Sequence, residues 1–188
     1  LIDEPLMVHR MCYNHYIIDE RKVHNMKLSV QNWEIVPDSD GMGMLNVFSE
    51  EGDIEFPLLI RTFDIPEDAA PENAELDIDV ILYPESLRIF RDEEEYRQKS
   101  GSHRAAESVI PSGCFPPRPD PNFVKSNTAL INGRILSLEE SDQEGIFKYM
   151  ELECLGLVLD VIVEDHLADT FRDAQPGNIV CGRFFIEG

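Results

Sequence analysis

No apolar run in the sequence approaches the roughly 20 residues that a membrane-crossing helix needs. The opening stretch, LIDEPLMVHRMCYNHY, lacks the basic start and apolar segment of a signal peptide. Positive charge is scarce: 16 Lys and Arg stand against 37 Asp and Glu, for a formal net charge of −21. Nucleic-acid affinity comes largely from Lys and Arg displacing phosphate counterions, so this balance disfavours nucleic acid as a partner. Anionic membrane surfaces are disfavoured for the same reason. The four cysteines, Cys12, Cys114, Cys154 and Cys181, are too scattered to read as a disulfide framework. Free thiols and a reducing, cytoplasmic setting are expected. The H-E-x-x-H pair, the P-loop and the dinucleotide-binding glycine pattern are all missing. The expectation is therefore no catalytic residue, no cofactor-binding residue, no metal ligand and no cofactor.

What is present is enough for a folded protein. A hydrophobic fraction of 43% and ten Phe argue for a packed core, and 188 residues suffice for one large domain or two small ones. The stretch HRMCYNHYIIDERKVH carries His9, Cys12, His15 and His24. Zinc sites usually bring two close ligand pairs together from separate turns, and that pattern is absent. Tyr13, Tyr16, Ile17 and Ile18 make the stretch readable instead as an amphipathic element packed on the core.

From Lys27 the periodicity is that of strands. KLSVQNWEIV, MGMLNVFSEEG and DIEFPLLIRTF are separated by the turn-forming PDSDG and by SEEGD. Pro57 inside the third run predicts an edge strand or a bulge. AELDIDVILYP alternates with Leu76, Ile78, Val80 and Leu82 on one side. Glu85–Ser100 then takes helical spacing through Leu87, Phe90 and Tyr96, with Gly101 as a stop. The run Asp92-Glu93-Glu94-Glu95 reads as a solvated helix face. From Gly101 to Asn127, five prolines rule out a continuous helix, while Val109, Ile110, Phe115 and Phe123 favour a crossover that packs against the protein. His103, Glu107 and Ser108 are close in sequence, but a catalytic triad normally converges from separate elements.

The stretch from Asn127 to Gly188 has the clearest pattern: TALINGRILSL with Gly133 mid-strand, IFKYMELEC, a Leu155-Gly156 turn, LVLDVIV, the helical HLADTFRDA, Pro176-Gly177, and NIVCGRFFIEG. This order resembles the OB fold, a small Greek-key barrel of many nucleic-acid and oligosaccharide binders. In that fold too a glycine bends the first strand, and a short helix between the third and fourth strands plugs the barrel. Two departures stand out. A fifth strand must come from the N-terminal half or lie beyond Gly188. The binding chemistry is also absent, because Arg134, Lys148, Arg172 and Arg183 face twelve Asp and Glu over 127–188. One internal echo aligns LDIDVILYPESLRIFRD with LVLDVIVEDHLADTFRD, matching Asp79 to Asp160 and Phe90 to Phe171. It suggests two related strand-then-helix units.

The expected fold class is mainly β, a β-dominated α+β protein with one or two short helices. The expected organisation is a β-rich region over 1–100 with a helix near 85–100, a proline-rich crossover over 101–126, and an OB-like β-barrel over 127–188. Gly133, Gly156, Gly177 and Gly182 are expected at bends or turns. The function expected is a non-catalytic acidic binding module with a protein partner or its own copy. The alternatives are single-stranded nucleic-acid or oligosaccharide binding through the barrel, helped by Arg21, Lys22 and Lys27, and a metal-dependent enzyme using His9, His15 and His24.

Overall fold

The computed structural model describes residues 24–35, 42–49, 54–61, 75–113, 126–141 and 145–188. The protein is mainly β, as its alternating runs predict. The strands are β1 (Asn25–Ile35), β2 (Met42–Ser49), β3 (Ile54–Arg61), β4 (Glu75–Asp79), β5 (Ile81–Phe90), β6 (Ser108–Ile110), β7 (Thr128–Glu140), β8 (Ile146–Cys154), β9 (Leu157–Glu164) and β10 (Ile179–Glu187). Two short α-helices, α1 (Glu93–Lys99) and α2 (Ala168–Phe171), and a 3-10 turn at Asp165–Leu167 complete the described elements.

The strands run in the order β4-β1-β2-β3-β10-β5-β9-β8-β7-β6, and β10 pairs again with β7. That second pairing closes β10, β5, β9, β8 and β7 into a five-stranded barrel. Its fifth stave is β5, from the N-terminal half. β5 runs antiparallel to β10 and parallel to β9, through Ile81↔Asp160 and Leu82↔Val161.

β7 makes closure possible by serving two neighbours in turn. Thr128–Arg134 pairs with β10, and Arg134–Glu140 pairs with β8. At the changeover a Cβ on Gly133 would lie 2.5 Å from the Glu153 carbonyl oxygen and 2.9 Å from Leu152 Cγ. Only glycine lets the two backbones approach this closely. A bulge between Ile135 and Ser137 turns the strand further and pushes Leu136 outward.

The β5 segment corrects the expected helix over 85–100. Only Glu93–Lys99 is helical, and Glu85–Phe90 belongs to the strand. Pro84 cannot donate a ladder hydrogen bond, and beside it the register slips so that Arg183 faces Ser86 while Phe184 faces Pro84. The slip changes which side chains face inward, from Leu82 and Pro84 before it to Leu87 and Ile89 after it. Leu87 and Phe90, three apart, imitate helical spacing but serve different cores. Leu87 packs on the main core, and Phe90 meets Tyr96 edge to face with centroids 5.3 Å apart. The echo breaks at the same place, because 165–171 folds as a 3-10 turn and α2 where 84–90 remains strand.

One continuous core fills the barrel and extends to the first three strands. Met26, Leu28, Val30, Leu45, Val47 and Phe56 belong to the same buried cluster as Ile131, Leu152, Leu159 and Phe184. The barrel is plugged where β9 ends and β10 begins, by the fully buried Phe171 of α2. At the other end Ile54 and Phe56 of β3 face Val80, Ile131, Leu157 and Ile186 across an apolar void of about 10 Å³. A space of that size holds one water at most, and its apolar walls offer no partner to keep one.

The acidic run on α1 is accounted for locally. Asp92 caps the helix by accepting from the Glu95 amide at 2.8 Å, and the Glu95 carboxylate accepts from the Arg91 amide. Glu93, Glu94 and Glu95 each meet the residue four positions on, Arg97, Gln98 and Lys99. Tyr96 is buried beneath, where its hydroxyl accepts from the side-chain amide of the fully buried Asn132 at 2.9 Å. Among the described residues no helix is long and apolar enough to cross a membrane.

Candidate functional site

The outer face of the barrel is built by β-alternation. In β8 and β9, Met150, Leu152, Cys154, Leu157, Leu159, Val161 and Val163 point inward. Glu151, Glu153, Val158 and Asp160 therefore point outward. Glu151 stands directly opposite Asp160, and Ser137 of β7 stands opposite Glu151. Two carboxylates facing each other across adjacent strands repel, which destabilises the pair unless something intervenes.

What intervenes is His24, immediately before β1. Its backbone amide donates to Asp160 Oδ2 at 2.6 Å, and its Nδ1 lies 3.2 Å from the same oxygen. Its Nε2 lies 3.9 Å from Glu151 Oε1. On the far side Ser137 Oγ donates to Glu151 Oε2 at 2.7 Å. One ligand atom from each of His24, Glu151 and Asp160 lies within 4.8 Å of the others. The three side chains are 44%, 39% and 21% exposed, so the group is open to solvent but anchored at Asp160.

The basic side chains of 127–188 are paired away from this group. Arg134 pairs with Glu93 at 2.9 Å, Lys148 with Glu140 at 2.9 Å, and Arg183 with Glu85 at 3.6 Å. Arg172 pairs with Asp169. All four basic side chains of 127–188 thus sit against a carboxylate.

Other candidates fall apart or lie out of view. Glu107 accepts from the Leu155 amide at 3.0 Å, and Ser108 Oγ is buried without a hydrogen-bond partner, so neither His103 nor Glu107 is bonded to it. His9, Cys12, His15, Arg21 and Lys22 lie outside the described residues, whereas Lys27 is described and exposed. Cys154 and Cys181 are free thiols, and burial pushes the Cys154 thiol up to about 12, which leaves it protonated and inert. Burial also raises the Tyr83 phenol, with the carboxylate of Glu187 adding to the effect.

No protein-family model matches the chain, and no curated protein matches it. Among solved structures it is similar to one described as the cytoplasmic molybdate-binding protein ModG, with molybdate bound. The identity is 8% and the TM-score 0.41, over 87% of this chain and 94% of that one. At that score the likeness carries no argument about ligand or activity.

Proposed function

We propose that this protein is a non-catalytic binding module whose acidic outer barrel face, centred on β8 and β9, meets a basic segment of a protein partner. The observation that carries the reading is the asymmetry of that face. Glu151, Glu153 and Asp160 project from it, while the four basic residues of 127–188 are each paired with an acid. Such a surface steers cationic partners and repels both phosphate and a second copy of itself.

The barrel itself reads as an OB-type fold whose closing strand precedes the other four. Three features support this: the glycine-bent β7, the helix between β9 and β10, and the Pro176-Gly177 turn into β10. In such barrels the face of the second and third strands is the usual binding surface, which here corresponds to β8 and β9.

The test is fluorescence anisotropy with a labelled Arg/Lys-rich peptide and, in parallel, labelled oligo(dT), each at low and high salt. Peptide binding that weakens with salt and with Glu153→Gln is expected, with no binding of oligo(dT). Salt-sensitive oligo(dT) binding without peptide binding would instead establish nucleic-acid recognition through the barrel.

A further inference from the structure

We propose that His24, Glu151 and Asp160 form a site for one divalent transition-metal ion of the zinc type. The donor set is the first argument. An imidazole nitrogen with two carboxylate oxygens suits zinc and its neighbours, whereas magnesium and calcium prefer oxygen alone. Two carboxylates and a neutral imidazole carry two negative charges, which a dication cancels.

Geometry is the second argument. Zinc bonds nitrogen and oxygen at about 2.0–2.2 Å, which separates neighbouring tetrahedral ligand atoms by about 3.3 Å. His24 Nδ1 and Asp160 Oδ2 are 3.2 Å apart already, and Glu151 lies within the 4.8 Å that spans the group. Glu151 is partly exposed and can close the remaining gap by rotating its side chain.

The third argument is support around the ligands, which orients metal sites and sustains their affinity. Ser137 holds the far oxygen of Glu151, and the His24 backbone amide holds Asp160. The ligands come from the segment entering β1 and from two barrel strands. A bound ion therefore ties the N-terminal sheet to the barrel and relieves the opposed Glu151 and Asp160. Three protein ligands leave a fourth position for water or a group of the partner. The site takes Glu151 and Asp160 from the proposed peptide surface, so a bound ion and a basic peptide compete there, but the proposal does not rest on peptide binding because its readout is metal itself.

The experiment uses the tag-free full chain, stripped with chelator and titrated with zinc chloride by calorimetry at physiological salt. One equivalent should bind, with an apparent affinity at least tenfold weaker in His24→Gln and in Asp160→Asn. Glu94→Gln removes the same charge from the exposed face of α1 and should leave binding unchanged. Cobalt(II) gives a second readout: intense visible d–d absorption of a four-coordinate site in the wild type, lost in His24→Gln. Circular dichroism of each variant establishes that it is folded, and Glu151→Gln replaces any variant that is not. No zinc binding at millimolar concentration overturns the proposal. So does equal binding by His24→Gln, or an equal loss in Glu94→Gln, which would mark a diffuse ion atmosphere.

Discussion

Gly133 shows how much a single residue can decide. It sits where β7 leaves β10 for β8, and a Cβ there would meet the Glu153 carbonyl at 2.5 Å. Gly133→Val is expected to cost about 2 kcal/mol or more, because the added side chain must force two paired backbones apart. Urea denaturation of the folded variant measures this, and an unchanged midpoint would refute the close approach. The position was legible in the sequence as an isolated glycine inside an alternating run. His24 shows the opposite case. As one of several N-terminal histidines it pointed towards its sequence neighbours, yet its contacts are with Asp160, 136 positions away, and Glu151. Nothing local marks Glu151 or Asp160 among so many acids. Strand register alone sets them face to face.

Among the elements, α1 has the most explicit electrostatic design. The hydrogen bond from the Glu95 amide holds the Asp92 carboxyl below its ordinary value, with Arg91 adding to it. The bond from Lys99 does the same for Glu95, with the Arg91 amide assisting. A depressed folded-state value means that both groups stabilise the helix above the ordinary carboxylate range, near about 4. That contribution is lost as the pH falls through their lowered folded values. Amide exchange over 93–99, corrected for intrinsic rates, should therefore lose protection on acidification before the barrel strands do. Simultaneous loss in both would show that the cap does not act locally. The sequence revealed the helix but not its start, because the slip beside Pro84 changes the phase of β5. Leu87 and Phe90 then fall at helical spacing on a strand. A similar slip between Ile146 and Lys148 changes the phase of β8 near its start, where Phe147 packs against the core.

For the whole molecule, the mainly β class and the barrel follow from alternation and turn residues, which are local signals. The identity of the fifth stave is not local. β5 competes with every other alternating run, and only its pairing with both β9 and β10 selects it. A fragment covering 127–188 lacks that stave and leaves β9 and β10 with open edges. It is expected to show no cooperative thermal transition, and addition of a peptide covering 75–90 in trans should restore one. Cooperative unfolding of the fragment alone would mean that four strands and α2 suffice.

The double pairing of β10 also bears on how the chain reaches its fold in time. β10 contacts β5 and β7 along most of its length and touches β3 at Glu187↔Leu59, all of them made earlier in synthesis. Until β10 arrives, β5 and β7 have no common neighbour, and the apolar interior has no wall on that side. Loop-closure entropy for such distant partners must be met before their contacts repay it, which makes barrels of this connectivity slow to fold. Any stretch of chain that lacks β10 leaves β5 and β7 with unpaired edges, and the net charge of −21 opposes association between such chains.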